Sequence, residues 1–310
     1  ARLLPTAPLE QRHAEFQLAA QSAQTPWAEV TKLHLDLRVH SHDSDTNLLH
    51  ADATLDAAQV ITRWANVTNA HFSAQWLHSL TNAIPLSGHG DLRAEAATSR
   101  WATARSLQLT ASLATPTNAP PADASWDWWQ HLQPFALGWT ANAARVDTPK
   151  LGADNVSVGG NWAAPLLQIT NLHAAFPEGK AVARAQLDVP QRRASFALTS
   201  TFDARRVAPL LTEKAQKWLD RYSWVTPPHL SGTGTVVLPA WTNQQPDWRT
   251  EVLPTLQLAA ALAATNCAYL KIPADWVTTH IRYTNQVWHL PDLLAGRPEG
   301  MLSLSHIADD

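Results

Sequence analysis

The chain has 310 residues, a formal net charge of -3 and only 16% charged residues, so it offers no basic surface typical of nucleic-acid binding. Its hydrophobic fraction of 45% excludes an intrinsically disordered chain, and 15 of its residues are tryptophan. The single cysteine, Cys267, excludes a disulfide framework and a thiolate zinc site. No window approaches the roughly 20 apolar residues of a membrane-spanning helix.

The first third of the chain repeats with a period of 37 residues. The string Trp27-Ala28-Glu29-Val30-Thr31 recurs at Trp64 and, more weakly, at Trp101. A period of this length indicates a supersecondary unit that buries its apolar face against neighbouring copies. We therefore predict a region of two-strand β-repeats over residues 1–115, in which the three tryptophans form a stack of structural side chains.

Within each repeat, apolar and polar residues alternate with a period of two, which predicts two extended strands of about eight to eleven residues. Successive strands of this kind connect most simply as an antiparallel meander. The apolar members of the alternation are the predicted lining of a groove: Leu33, Leu35, Leu37, Val39, Phe72, Trp76, Leu107, Leu109 and Leu113.

A polar cluster at His40-Ser41-His42-Asp43-Ser44-Asp45 contains residue types that bind zinc or calcium at such short spacings. A hairpin tip whose polar residues face water accounts for the same string more simply. We therefore predict no metal and no cofactor for this chain.

Residues 116–140 form a Pro-rich joint, Pro116 to Pro121, followed by a Trp-rich short helix over Ala124 to Leu132. Three of its tryptophans, Trp126, Trp128 and Trp129, are candidates for a membrane interface or for the end of an apolar groove. Stacking on sugars and simple packing over the open face of the sheet are the other interpretations of these rings.

Residues 141–310 read as a further β-region. The string over residues 167–188 matches that over 288–309, and both predict a strand, a Pro-Glu-Gly turn and a second strand. Glycine should supply a positive φ at each turn, at Gly179 and Gly300. A helical insertion near residues 203–222 is predicted to begin at Asp203, a good N-cap, and to break at Pro209.

No catalytic signature is present. The patterns HExxH, GxSxG, GxGxxG and the P-loop are absent, and the acidic residues are scattered singly. We therefore predict that the protein is not an enzyme.

The predicted fold is mainly β: a long antiparallel meander of β-repeats with one or two short helical segments. Each strand presents an apolar row, and a sheet must bury such a row against another layer. Either the sheet closes on itself as a sandwich, or it curls into a groove whose lining meets an apolar ligand. The sequence pattern leaves both arrangements open.

Several strings resemble a known family. FALTSTFDARRVAPLL, LQITNLHAAFPEGKAVARAQLDV and WHLPDLLAGRPEGMLSLSHIADD, which lie within residues 130–310, are similar to the AsmA-like group of Gram-negative envelope proteins. The resemblance implies a bridge-like β-groove in the periplasm that carries phospholipids between the inner and outer membranes. It also implies an inner-membrane anchor outside this chain, which begins without Met and ends within a strand-like pattern. We therefore expect an internal or C-terminal fragment.

Our first hypothesis is a non-enzymatic groove segment that shields lipid acyl chains and serves outer-membrane biogenesis. Its partners would be phospholipid acyl chains, with membrane contact through parts outside this chain and no nucleic acid. The alternative is a closed structural or adhesive β-repeat scaffold without a ligand. A third hypothesis is carbohydrate binding through the tryptophans near residues 126–129.

Overall fold

The computed structural model describes residues 2–3, 13–42, 45–115, 121, 123–203, 205–206, 216–217, 219–243 and 245–309. The protein is mainly β, with 72% strand and 8% helix, which confirms the predicted fold class. Most apolar side chains of the strands are only half-buried, and the buried set is dominated by alanine and a few large rings.

The strands are numbered in chain order. Those of the first half are β1 (Arg2–Leu3), β2 (His13–Gln24), β3 (Ala28–His42), β4 (Asp45–Thr62), β5 (Ala65–Ser79), β6 (Asn82–Ser99), β7 (Thr103–Ala114), β8 (Ala136–Asp147) and β9 (Gly152–Ala163). Those of the second half are β10 (Leu166–Phe176), β11 (Gly179–Asp188), β12 (Arg193–Ser200), β13 (Tyr222–Trp224), β14 (His229–Val237), β15 (Gln257–Tyr269), β16 (Ile272–Thr284), β17 (Val287–Arg297) and β18 (Gly300–Asp309).

The chain divides into two compact units. The first holds residues 1–120, 132–149 and 155–164, and the second holds residues 121–131, 150–154 and 165–310. The main division lies near residue 165. Strand β8 pairs with β7 and with β9, so the first meander continues beyond the repeats.

In the first unit, strands β2 to β8 pair antiparallel in chain order, and β1 adds to β2. The strands of the repeats are 12 to 18 residues long, which exceeds the predicted length. They are longer because pairing continues through the polar Thr, Asn and Gln residues on either side of the apolar rows.

A side-chain hydroxyl closes the turn inside each 37-residue repeat. In the first repeat, Thr25 Oγ1 accepts hydrogen bonds from the N–H groups of Trp27 and Ala28 and donates one to the Ala28 carbonyl. Thr62 and Ser99 make the same three bonds in the second and third repeats. Each repeat is therefore a strand–turn–strand unit whose turn is fixed by one Ser or Thr.

The expected stack of repeat tryptophans was wrong. Trp27, Trp64 and Trp101 lie at these turns and are 74%, 54% and 57% exposed. Equivalent turns are separated by two strand spacings, about 10 Å, which is too far for indole faces to touch. Instead, the guanidinium carbons of Arg63 and Arg100 lie 4.0 and 4.1 Å from the ring centroids of the tryptophans that follow them.

Each repeat also contains one residue in the left-handed region, five positions after its tryptophan. These residues are Lys32 (φ 50°), Asn69 (φ 49°) and Ser106 (φ 51°). Cross-strand pairing to the next strand is interrupted at each of them. A non-glycine residue in this region costs roughly 1–2 kcal/mol, so the pairing on either side must hold it there.

The polar cluster at residues 40–45 is not a hairpin tip as a whole, contrary to our expectation. Strand β3 continues to His42 and β4 begins at Asp45, so His40 and Ser41 belong to a strand. Residues 43 and 44 lie outside the described part of the chain. Ser41 is buried, which is a further difference from a solvated tip.

In the second unit, β10, β11, β12, β14, β15, β16, β17 and β18 pair antiparallel in that order, and the short β13 pairs with β15. The two matching strings form the predicted hairpins, β10–β11 and β17–β18. Both hairpins have a register shift at equivalent positions, between Ile169 and Leu172 and between Leu290 and Leu293.

The two hairpin turns differ at their glycines. Gly179 has a φ of 147°, as predicted, and a Cβ added there would lie 2.3 Å from the Thr201 carbonyl oxygen. Gly300 is not in the positive-φ region, so that part of the prediction was wrong, and a Cβ there would meet nothing within 4 Å. Only the first turn is packed against a neighbouring segment.

Most of the predicted helical insertion near residues 203–222 lies outside the described residues. Asp203 does act as a cap, because its carboxylate accepts the Arg205 N–H at 3.0 Å. It also accepts a bond from Trp224 Nε1 at 3.1 Å, which ties the segment to β13. Tyr222 begins strand β13, so the helical insertion does not extend to residue 222 as predicted.

Outside the region of residues 203–222, the described residues contain two helical segments. A 3₁₀-helical segment, Ala124–Leu132, lies where a short helix was predicted and is kinked at Asp127. A single π-helical turn, Trp248–Val252, with Asp247 as its N-cap, continues into a 3₁₀ turn at Leu253–Thr255 before β15. The sequence analysis did not locate this second segment.

Candidate functional site: an open apolar sheet face

The pairing register of the first unit gathers the predicted lining residues on one face. Leu35 lies opposite Leu55, and Leu55 lies opposite Phe72. Directly opposed residues of antiparallel strands share a face of the sheet, so these pairs continue into one row. The full row, one residue from each of seven strands, is Leu18, Leu35, Leu55, Phe72, Leu92, Leu109 and Ala141.

Parallel rows flank this one on the same face. In one of them, Val39 lies opposite Ala51, and Ala51 lies opposite Trp76. The same row continues from Trp76 to Gly88, and then to Leu113 and Leu137 on the next two strands. Leu33 pairs with Ala20, and Leu107 pairs with Ala94, at the other side of the face. All nine residues predicted as groove lining therefore share what we call the apolar face of the first unit.

The apolar face is open among the described residues. Of the nine predicted positions only Leu33 is buried, and Phe72 is 38% exposed. Phe16 and Leu18, which the prediction did not include, are 39% and 38% exposed. Residues facing a second sheet in a sandwich would be largely excluded from solvent. The partial burial here is what neighbouring side chains of one sheet provide.

Glycines make room for rings on this face. A Cβ at Gly88 would lie 3.1 Å from the Cβ of Trp76, and one at Gly90 would lie 3.5 Å from Cε2 of Phe72. Glycine inside a strand often marks such a close approach. These two glycines, and the partners Leu18, Leu55 and Leu92, were missed as site residues although the period-two alternation contained them.

The opposite face of the same strands is polar and carries paired histidines and acids. His34 Nε2 lies 3.0 Å from Asp36, His71 Nδ1 lies 2.7 Å from Asp56, and His89 Nε2 lies 3.0 Å from Asp91. The first unit is therefore an amphipathic layer, with hydrocarbon on one side and imidazole and carboxylate groups on the other.

The second unit has an apolar row of the same kind. Phe196 lies opposite Gly234, and a Cβ on that glycine would lie 2.4 Å from the ring atom Cζ. Tyr283 is buried against Trp288, with ring centroids 4.5 Å apart. The row, which the sequence analysis did not identify, is Ile169, Ala185, Phe196, Gly234, Leu258, Tyr283 and Trp288.

A shallow hollow of about 820 Å³ also lies in the second unit. Its lining mixes apolar residues with Gln168, Gln186, Arg184 and Arg282. None of the nine predicted lining residues borders it. The hollow and the apolar face of the first unit are therefore separate features.

Two of the three tryptophans of the 3₁₀ segment, Trp128 and Trp129, form an aromatic cluster with Trp241 in the second unit. Trp126 and Trp129 are buried, at 4% and 7% exposure, whereas Trp128 is 52% exposed. The ring of Trp129 stacks on that of Trp128, with ring centroids 4.2 Å apart. It meets the ring of Trp241 in an edge-on arrangement, with centroids 5.7 Å apart. Of the three rings, only that of Trp128 is accessible from solvent, so it alone remains a candidate for contact with a membrane, a sugar or the end of a groove.

The lone thiol has no features of an activated nucleophile. Burial raises the pKa of Cys267, and its sulfur donates a weak bond to the Ala274 carbonyl oxygen at 3.8 Å. A raised pKa keeps the thiol protonated and inert near neutral pH.

In comparisons with known proteins, no family model matches the chain, and no curated protein or solved structure is significantly similar to it. No helix among the described residues is long and apolar enough to cross a membrane. The class that the fold defines is an antiparallel β-repeat protein whose apolar face is open among the described residues.

Proposed function

We propose that the apolar face of the first unit shields the acyl chains of phospholipids from water. The observation that carries the proposal is the row from Leu18 to Leu109, whose large apolar side chains share one face and remain half-exposed. A contiguous apolar surface of this extent favours association with an apolar partner.

The mechanism is passive. Each methylene group moved from water onto an apolar surface contributes about 0.8 kcal/mol, so an acyl chain lying along several strands is held without any directional bond. Because no polar group fixes the position of the acyl chain, the acyl chain is free to slide from one apolar row to the next. The headgroup stays in water, and no covalent step occurs.

The cellular setting rests on the resemblance to the AsmA-like group. Under it, this chain is a segment of a periplasmic groove, anchored to the inner membrane outside these residues, that moves phospholipid towards the outer membrane. Its role is then in envelope and outer-membrane biogenesis. An enzymatic activity forms no part of this proposal.

Mass spectrometry of organic extracts from the purified chain tests the proposal directly. We expect co-purified phospholipid, and we expect Leu35→Asp and Leu109→Asp to lose most of it because a carboxylate interrupts the dry row. Gln108→Asp is the matched control, since it adds the same charge to the adjacent position of β7 on the polar face, opposite Arg93.

Two results would overturn the proposal. A clean extract from a folded protein that also fails to bind a hydrophobic dye would favour the closed β-repeat scaffold without a ligand. If Leu35→Asp and Leu109→Asp unfold the protein while Gln108→Asp does not, the row is ordinary buried core.

A further inference from the structure

One histidine–acid pair on the polar face of the first unit differs from its neighbours. His50 Nδ1 lies 3.6 Å from Asp52 Oδ2, whereas the other four pairs of this unit are 2.7 to 3.2 Å apart. His50 Nδ1 is shielded from solvent and has no hydrogen-bond partner among the described residues. A buried ring nitrogen without a partner is costly, so this pair is incomplete as it stands.

A second imidazole lies against this incomplete pair. His40 of β3 is directly opposite His50 of β4, and their rings stack with centroids 5.1 Å apart. Asp52 shares their face because it lies two residues after His50 on the same strand. One ligand atom from each of His40, His50 and Asp52 lies within 4.8 Å of the other two.

Contrary to the sequence-based expectation of no metal, we propose that His40, His50 and Asp52 bind a zinc ion. Two imidazole nitrogens and a carboxylate oxygen are a donor set that zinc accepts, with a remaining position for water. Zinc bonds of about 2.0–2.2 Å bring the donors to roughly 3.3 Å from one another, which small side-chain rotations on an open sheet face can supply. Binding would also tie β3 to β4 beyond their backbone ladder.

The surrounding charges permit this arrangement. Arg38 is opposite Asp52 in the register, but its Nε lies 3.7 Å from Glu15 Oε1 on the other neighbouring strand. The guanidinium is thus shared with Glu15, which leaves the Asp52 carboxylate available to a cation. His13 lies opposite His40, and its Nε2 is 3.2 Å from Glu15 Oε1, so this histidine already has an acidic partner.

Calorimetric titration of the tag-free chain with zinc chloride tests the site. We expect one zinc per chain, with affinity at least tenfold weaker in His40→Ala and His50→Ala. His34→Ala is the matched control, because it removes a histidine of a closed pair from the same face of β3. Asp52→Asn serves as a second variant that keeps the shape of the side chain, should His50→Ala fail to fold.

Unchanged affinity in a folded His50→Ala or Asp52→Asn protein would overturn the site. An equal loss in His34→Ala would also overturn it, because zinc would then be bound by the histidine-rich face in general. Absence of zinc binding by the unmodified chain would overturn the site as well.

A second inference rests on the turns of the repeats. The turns β2–β3, β4–β5 and β6–β7 lie at the same end of the strands of the first unit, because every second turn of a meander does so. They form what we call the turn row: Trp27, Arg63, Trp64, Arg100 and Trp101. Its tryptophans follow one another at about 10 Å, the spacing of two strands.

The turn row has the composition of a membrane-interface contact. Three indoles more than half exposed to solvent are held on hydroxyl-closed turns, so little further ordering is needed on binding. Indole rings partition to the headgroup level of bilayers, and the two guanidinium groups match lipid phosphates. Arg63 and Arg100 already lie over the rings, which places cation and indole in contact with the same lipid layer.

We infer that the turn row binds the surface of a bilayer that contains anionic phospholipid. This contact goes beyond the proposed acyl-chain face and does not depend on it, since a chain with an empty apolar face could still bind vesicles. It also places a membrane contact within this chain rather than only in parts outside it.

Vesicle co-sedimentation tests this contact, with phosphatidylcholine alone and with added phosphatidylglycerol. We expect the combined variant Trp27→Ser, Trp64→Ser and Trp101→Ser to bind at least tenfold more weakly. Trp248→Ser is the matched control, because Trp248 is 57% exposed but belongs to the second unit. Arg63→Gln with Arg100→Gln should abolish the preference for the anionic vesicles.

Equal vesicle binding by the triple variant, with its circular dichroism unchanged, would overturn the turn row as a membrane contact. So would a loss in Trp248→Ser as large as in the triple variant. Failure of the unmodified chain to sediment with either vesicle would overturn the membrane contact as well.

Discussion

The two units build repeated hairpins in different ways. In the first unit, Thr25, Thr62 and Ser99 close three turns with the same three hydrogen bonds. In the second unit, the matching turns at Gly179 and Gly300 differ, because only Gly179 is packed against the segment that follows β12. A repeated sequence therefore keeps its geometry where its own side chain supplies the constraint, and loses it where the constraint comes from a neighbour.

The largest expected effect is a loss of stability when one of the two hairpin turns of the second unit is changed, but not when the other is. Gly179→Ala should lower the free energy of unfolding by about 3 kcal/mol, since φ is positive and the added Cβ meets backbone. Gly300→Ala, the matched change in the other hairpin, should have almost no effect. Urea denaturation compares the two variants. A similar loss in both would show that the turns are equivalent after all.

Asp203 is the next test, because it anchors the segment that follows β12 to β13 within the second unit. Burial alone would raise its pKa, but hydrogen bonds and charge from Arg205 outweigh burial and lower the pKa below the ordinary carboxyl value. A lowered folded-state pKa gives stability that is present above about pH 4 and is lost as the pH falls through the lowered value. Asp203→Asn should remove that part of the acid dependence.

Thermal unfolding measured from pH 7 downward checks this prediction. The unmodified protein and Asp203→Asn should differ most at neutral pH and converge as the carboxylate protonates. Curves that stay parallel across the acid range would mean that Asp203 acts through packing and not through its charge.

A smaller effect is expected at the turns of the first unit. Thr62→Ala removes the side-chain bonds that close the second turn and should cost about 1 kcal/mol, whereas Thr62→Ser should retain most of them because the third repeat uses serine. The same pair of changes at Thr25 should give the same result. Unequal losses at the two sites would contradict a locally determined turn.

The smallest effect should be a gain. Ser106 has a φ of 51°, and Ser106→Gly should raise the free energy of unfolding by about 0.5–1 kcal/mol because glycine adopts this conformation without strain. Asn69→Gly should gain less, since asparagine tolerates the left-handed region better than serine does. Chemical denaturation of the two variants measures the difference, and a loss in both would show that the side chains themselves are needed.

Much of the fold was predictable from local pattern. The period-two alternation of Leu33, Leu35 and Leu37 predicts a strand with one apolar face, and this alternation is a property of each strand alone. The 37-residue period predicts equivalent hairpins, and these are present. The positions of the long strands, the two matched hairpins and the apolar side of each single strand follow from the same local rule.

The alternation does not say which residues of different strands meet. Stacking was expected for Trp27 and Trp64, whereas they are exposed and far apart, because copies are two strand spacings from each other. His40 and His50 were not expected to meet, yet the register places them face to face. Both outcomes depend on the pairing between strands.

The sequence by itself thus determined the class of fold, the repeat period and the apolar face of each strand, since these depend on backbone geometry within a few residues. Only the tertiary structure decided that Gly179 is closely packed and Gly300 is not, that the apolar face of the first unit is open among the described residues, and that His50 has a second imidazole beside it. Those features depend on the register between strands and on contacts from distant segments, which no local period encodes.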